Sequence, residues 1–366
     1  MGGIFAVPTQ KHTNQGGSQM KFYTKQHQHY CGIDLHTKKM YVCVLNSIGE
    51  IVAHRNLNTD PEAFLELIAP FREDIVVAAE CMFTWYWVAD LCAREGIPFV
   101  LGHALYMKAI HGGKSKNDKI DSHKIAVLLR GGTLAQAYVY PAKMRATRDL
   151  LRRRNHLVRK RAELFGHVQN TRSQYNLPDP LGRIAKPKNR EGVAQRFDDP
   201  SVQKSMEVDL EMIEAYDRIL TPLEREIIKT ANGHNALSYN LLKTIPGVGR
   251  ILALVMLYEI ETVERFKTVQ DFASYARLVK CAKESNGKKF GAGGKKIGNA
   301  HLKWAFSEAS VLFIKGNEPA KKYLDRLTQK HSKGKALSIL AHKLGRAAYY
   351  MLKNKVAFDQ DKFLSH

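Results

Sequence analysis

The strongest constraint on the fold is a change of hydrophobic period within the first third of the chain. His29–Asp34, Lys39–Leu45 and Ile51–Arg55 read as period-two strands, with Asn46–Gly49 as a tight turn between the second and third. Connections this short join antiparallel neighbours, so the three form a meander. The period then alternates. Asp60–Ile68, opened by Asp60 and Pro61, predicts a helix. Asp74–Ala79 is a buried strand that ends at Glu80. Thr84–Glu95 is helical, Gly96–Leu101 is a short strand, and Asp118–Arg130 is a helix. The order β-β-β-α-β-α-β-α defines an α/β domain.

Beyond residue 141 the pattern becomes helical. Across 142–170, Leu150, Leu157 and Leu164 recur at sevens beside Leu151, Val158 and Phe165. A second such helix runs from about Val208 to Thr230, with Ile213, Leu220 and Ile227 in step. Thr221-Pro222-Leu223-Glu224 inside it predicts a break or kink. The two helices suit an antiparallel pair within the chain or a coiled coil between chains. Pro178–Pro200 is loop-like. Helical pieces follow Leu241–Val255, then a glycine-rich loop at 286–298 and two helices near 299–314 and 334–353. The expected organisation is a loose tail (1–27), a catalytic domain (28–141), a coiled helical segment (142–235), a C-terminal domain (236–357) and a dispensable tail (358–366).

Charge divides the chain the same way. The 366 residues carry a formal net charge of +22, which points to a polyanionic partner. Residues 1–140 hold 14 Lys/Arg against 12 Asp/Glu, 141–172 hold 10 against 2, and 281–366 hold 18 against 6. The near-neutral first part suits acidic catalytic groups, and the basic parts suit phosphate. No apolar run approaches the ~20 residues of a membrane span. The first 25 residues lack a secretory signal, and the five cysteines form no CxxC pair, which fits a reducing cytoplasm.

Four acids stand out. Asp34 and Glu80 close strands that adjacent pairing would bring together. Asp118 and Asp121 lie three apart in NDKIDSHK, on one side of a helix. Clustered carboxylates repel unless a cation joins them, and two Mg²⁺ ions about 4 Å apart would meet that need and activate a phosphodiester's attacker. His36 and His123 flank these acids, and Trp85, Tyr86 and Trp87 follow Glu80.

Further on, IPGVG at 245–249 is a glycine turn between apolar helices, like a helix-hairpin-helix. Gly247 and Gly249 offer backbone N–H groups to a phosphate, with Lys243 and Arg250 assisting. The helix face with Arg152, Arg153, Arg154, Arg159, Lys160 and Arg161 is a second nucleic-acid candidate. The segment around 284–299 is a third, through Lys288, Lys289, Lys295, Lys296 and Asn299. It is not a P-loop, since the Gly-Lys-Ser/Thr order is missing. Ser285 heads this segment. A serine there is a nucleophile only with an activating base or metal.

YCGIDLHTKKMYVCVLN, VVAAECMFTWYWVADLC, GKSKNDKIDSHKIAVLL and, later, LLKTIPGVGRILALVMLYEI, FASYARLV and KKIGNAHLKWAF together resemble the DEDD transposases of bacterial insertion sequences over roughly residues 28–315. That family includes bridge-RNA-guided serine recombinases. The resemblance implies an RNase H-like (RuvC-like) N-terminal domain, a coiled helical segment and a mostly α C-terminal transposase domain. It also implies Mg²⁺ bound by Asp34, Glu80, Asp118 and Asp121. The family's catalytic serine falls on Ser285 in Glu284-Ser285-Asn286-Gly287-Lys288, where glutamate and asparagine replace the usual serine and glycine.

The implied activity is RNA-guided DNA strand exchange through a phosphoserine–DNA intermediate. The implied partners are donor and target duplex DNA, a structured noncoding guide (bridge) RNA and further copies of the chain, as homodimers that form homotetramers. The implied location is the bacterial cytoplasm. Two alternatives compete: a RuvC-like metal-dependent endonuclease acting by direct hydrolysis, and a catalytically inactive nucleic-acid-binding protein.

Overall fold

The computed structural model describes residues 21–110, 117–178, 182–231, 235–285, 288–293 and 297–365. The chain divides into two compact units, Ser18–Lys143 and one containing Met144–His366.

The first unit is built on a five-stranded sheet: β1 (His29–Leu35), β2 (Lys39–Asn46), β3 (Ile51–Asn58), β4 (Ile75–Glu80) and β5 (Phe99–Gly102), in the order β3-β2-β1-β4-β5. The first three are antiparallel, and β4 and β5 run parallel to β1. Helices α1 (Pro61–Ile68), α2 (Tyr86–Arg94), α3 (Ala104–Ile110) and α4 (Asp118–Arg130) complete it. Successive strand residues face opposite ways. Cys31, Ile33, Val77 and Ala79 therefore meet Phe64 and Ile68 of α1 and Val88, Leu91 and Cys92 of α2. Tyr30, Val76 and Ala78 meet Ile125, Leu128 and Leu129 of α4 on the other face. This is the α/β order expected from the strand and helix periods, in the RNase H-like layout that the family resemblance implied.

Gly32 sets how closely α4 approaches. A Cβ at position 32 would lie 2.4 Å from the backbone nitrogen of Ala126 and 2.4 Å from the carbonyl oxygen of Ser122. Only glycine lets the helix backbone rest on β1 this way. The residues before β1 are also tied down. Asp74 accepts from the His27 ring at 2.6 Å and from the Gln28 amide at 2.8 Å, and the Gln136 amide donates to the Lys21 carbonyl at 2.8 Å.

The second unit starts with most of α5 (Ala142–Gln174), which pairs antiparallel with α6 (Pro200–Ala231) inside the chain. Arg154–Glu224, Arg161–Asp217 and His167–Asp209 ion pairs mark the antiparallel order. Helix α6 starts eight residues before the expected Val208. Asp199 caps it, accepting from the Ser201 amide at 2.7 Å, with Pro200 as its first residue. Nor is α6 broken at Pro222. The Thr221 hydroxyl, expected to start a new helix, donates instead to the Asp217 carbonyl at 3.1 Å.

The rest comprises α7 (Ala236–Lys243), α8 (Arg250–Ile260), α9 (Val269–Tyr275), the hairpin β6 (Cys281–Ser285) and β7 (Lys288–Gly293), α10 (Ala300–Phe313), α11 (Glu318–Thr328), α12 (Lys333–Asn354) and α13 (Gln360–Leu364). Its core gathers Leu252–Leu257 of α8, Phe272 of α9, Phe306 and Phe313 of α10 and Leu340, Leu344 and Tyr349 of α12. Residues 358–366, expected as a dispensable tail, include α13, whose Phe363 is buried with its ring 5.4 Å from that of Phe313. Among the described residues no helix is long and apolar enough to cross a membrane.

Candidate active site

The acids gather at the carboxyl edge of β1 and β4. These strands are in register through Ile33 and Ala79, so the next residues, Asp34 and Glu80, stand side by side. Ile33 and Ala79 belong to the α1–α2 face, and strand alternation turns Asp34 and Glu80 to the α4 face. Helix α4 starts there. Its N-cap is Asn117, whose side chain accepts from the Ile120 amide at 2.8 Å, and Asp118 and Asp121 occupy its first turn. A helix N-terminus favours carboxylates, which offsets part of their mutual repulsion.

The closest group is Asp34, His36 and Asp118, each able to offer one ligand atom, all within 4.8 Å of one another. His36 Nε2 lies 3.5 Å from Asp34 and 3.6 Å from Asp118. The turn carrying His36 is fastened: the His36 amide donates to the Lys39 carbonyl at 3.0 Å, and the Thr59 hydroxyl donates to the His36 carbonyl at 3.0 Å. The Asp34 side chain is 16% exposed, against 58% for Asp118. Burial pushes the Asp34 carboxyl above its ordinary range, and Asp118 and Asp121 push the same way, while His36 opposes them. The anionic form of Asp34 thus lacks full compensation from the protein.

That donor set, carboxylate oxygens with one imidazole nitrogen at an open edge, fits a divalent cation such as Mg²⁺ or Mn²⁺. Asp121 and Glu80 are not part of this three-residue group. Asp121 lies 3.4 Å from the ammonium of Lys124 and still acts on Asp34 electrostatically. Sequence reading placed His36 beside the acids without assigning it a ligand role. Its signal was the spacing Asp34-Leu35-His36, which returns both side chains to one side of a strand end.

The basic candidates are unevenly available. Of the six on α5, Arg153, Arg159 and Lys160 are exposed. Arg152 is held by Glu259 at 2.6 Å, and Arg154 and Arg161 by Glu224 and Asp217, so these three serve the helix packing. In the glycine turn, Lys243 and Arg250 are exposed, with the Lys243 ammonium 5.0 Å from the Tyr239 ring centre. Gly247 has φ +82°, and a Cβ there would come within 2.6 Å of the Leu312 backbone. Packing alone therefore requires this glycine, and Gly249 precedes α8 as its N-cap.

Asn299, expected at a phosphate, is buried. Its side chain donates to Glu259 at 2.7 Å and accepts from the His301 and Leu302 amides, capping α10. Lys288 is exposed, whereas Lys295, Lys296 and the Lys289 side chain lie outside the described residues. The segment read as a glycine-rich loop contains β7, and Ser285 pairs with Lys288 across the hairpin. Asn286-Gly287 between them is a strong hairpin signal that the glycine and lysine composition obscured.

A sheet of this order with a carboxylate–imidazole cluster at its carboxyl edge defines an RNase H-like, metal-dependent class of nucleic-acid enzymes. Residues 31–176 match the DEDD family of IS110, described as a transposase, and residues 239–325 match the family described as Transposase IS116/IS110/IS902. The chain carries an IS110-family DEDD-type transposase domain, and its two-part architecture matches that of the family. No curated protein matches it.

These findings correct the expected chemistry. The assembled group is Asp34, His36 and Asp118 on a RuvC-like sheet, the arrangement of a metal-dependent nuclease rather than of an enzyme with a serine nucleophile. The reading of RNA-guided strand exchange through a Ser285–DNA intermediate gives way to the hydrolytic one.

Proposed function

We propose that the protein is a transposase nuclease that cleaves DNA phosphodiesters by divalent-metal-dependent hydrolysis. The observation that carries this reading is the convergence of Asp34, His36 and Asp118 at the edge of the RNase H-like sheet. Asp34 and Asp118 would hold Mg²⁺ with His36 beside them. Glu80, in register with Asp34, and Asp121, one turn along α4, are proposed to complete a second position. Bound there, Mg²⁺ supplies a Lewis acid for the phosphate and lowers the pKa of the attacking water. The chain's own contribution is placement: Gly32 seats α4, and Asn117 fixes the turn that presents Asp118 and Asp121.

Arg153, Arg159, Lys160, Lys243, Arg250 and Lys288 are proposed as phosphate contacts, since all are exposed on a strongly basic chain. Binding of a structured RNA and assembly of homodimers into homotetramers are further proposals that rest on the family resemblance alone.

The test is nicking of a plasmid carrying the insertion-sequence ends, with Mg²⁺ or EDTA, by wild type, Asp34→Asn and Ser285→Ala. Hydrolysis predicts cleavage that requires Mg²⁺ and Asp34, survives Ser285→Ala, and leaves free DNA ends on denaturing gels. Protein-linked DNA ends that vanish in Ser285→Ala would overturn it.

A further inference from the structure

The loop that follows Glu80 presents apolar side chains to solvent beside the acids. Phe83 is 79% exposed and Met82 is 47% exposed. Their neighbours are fastened. The Cys81 amide donates to the Gly102 carbonyl at 2.9 Å, the Met82 amide to the Glu80 carbonyl at 2.8 Å, and the Thr84 hydroxyl to the Leu35 carbonyl at 3.3 Å. Trp85 is buried against Leu101 and Ala89. The chain therefore spends its inward-facing aromatic at Trp85 and holds Phe83 outward from a loop pinned on both sides. Leu105, on the helix that follows the paired strand β5, adds a third exposed apolar side chain at the same sheet edge, at 40%.

This edge is where the cleavage chemistry is proposed, so the inference rests on that reading. Phe83 is three positions along the chain from Glu80, a span of at most about 11 Å. A nucleotide whose phosphate sits at the acids has its base within that reach. Residues 81–87, Cys-Met-Phe-Thr-Trp-Tyr-Trp, carry no charge, so the loop offers a phosphate no cation. An aromatic ring is suited instead to the face of a base.

We propose that Phe83, supported by Met82, is a base-stacking wedge that unstacks DNA next to the phosphate being cleaved. Phe83 acts as a positioning residue: it opens the duplex so that the strand can enter the acid edge. The ligand is an unpaired or unstacked base, of any sequence, since every base has a π-face.

The experiment has two arms on the full-length protein. In the first, Phe83→Trp is titrated with a duplex carrying a four-nucleotide unpaired bubble, in Ca²⁺ to hold back cleavage. Its tryptophan emission is compared with that of wild type, which has three tryptophans. Stacking predicts quenching beyond the wild-type response. In the second, nicking in Mg²⁺ is measured on paired and bubble duplexes. Phe83→Ala is expected to slow cleavage of the paired duplex by about tenfold or more, and of the bubble by less than about threefold, with Phe83→Trp restoring the rate. The exposed position spares the core in both variants.

No additional quenching overturns the wedge, as does equal loss, or none, on the two substrates. Quenching that appears with an unrelated protein and not with DNA would assign the loop to a protein partner. If wild type nicks neither substrate, the hydrolytic reading fails, and the fluorescence arm still decides whether Phe83 stacks on bases.

Discussion

The two units treat their key carboxylates in opposite ways. At the sheet edge Asp34 shares its surroundings with Asp118 and Asp121, and its carboxyl is pushed up by burial and by those like charges. In the second unit Glu259 of α8 is 2% exposed, yet its carboxyl is held down at about 2. Burial pushes Glu259 up, but hydrogen bonding from Arg152, the charges of Arg148 and Arg152, and the Asn299 amide outweigh it. Arg148 lies 3.0 Å away and Arg152 2.6 Å. One acid has its countercharge supplied by the fold. The other is left short of positive charge, the condition a cation relieves. A carboxylate fully satisfied by its own protein serves as scaffold, and an unsatisfied cluster marks chemistry.

Substitution at the sheet edge is expected to have the largest effect. Asp34→Asn should lower Mg²⁺-dependent nicking by at least about 10⁴-fold, about 5 kcal/mol of barrier. The melting temperature in EDTA should hold or rise, because a repelled charge is removed. A fall in melting temperature would make Asp34 a scaffold acid like Glu259 and erase the contrast. Next, Glu259→Gln leaves Arg148 buried without its anion and should destabilise the protein by about 3–5 kcal/mol in urea denaturation. Nicking per folded molecule should be retained, and an unchanged urea midpoint would break the comparison from the other side.

Acid sharpens the contrast with opposite signs. Glu259 titrates lower folded than unfolded, so its stabilisation is complete above its ordinary value of 4.5 and is lost as pH falls toward about 2. The contribution is roughly 3 kcal/mol. Asp34 titrates higher folded than unfolded, so protonating it favours the folded state. Urea midpoints of wild type and Glu259→Gln measured between pH 5 and 2 should therefore converge as pH falls; a constant gap would contradict the sign for Glu259. The smallest effect is Gly32→Ala. Forcing a methyl against the α4 backbone should cost about 2 kcal/mol of stability and weaken Mg²⁺ binding, seen by calorimetry. Unaltered metal affinity would mean that α4 is not seated by Gly32.

The first unit was legible because strand alternation and helix caps are local. β1 to β3 follow from period-two runs, β4 from a continuous apolar run and α1 from Asp60-Pro61, and adjacent strand ends placed Asp34 near Glu80. The C-terminal details were hidden by distance. Glu259 lies in the apolar run Leu252–Ile260, and its partners Arg148 and Arg152 are more than a hundred residues away in sequence. For that reason a stretch of arginines that reads as a polyanion surface is partly internal wiring. Asn299 was misplaced likewise, since its bond to Glu259 exists only once α8 and α10 pack, although its cap on α10 is local. The α6 start had a local signal, Asp199-Pro200, equivalent to the Asp60-Pro61 pair that marks α1. The docked C-terminal helix had a local signal too, Asp359, which caps it by accepting from the Lys362 amide, while its packing partner Phe313 is distant in sequence.

Because α4 is seated by backbone contact at Gly32 and its first turn is capped by Asn117, Asp118 is held by the sheet and by the helix's own cap. Asp118 and Asp121 therefore move as one body with α4, and any change that lifts the helix from β1 displaces both acids from Asp34 together.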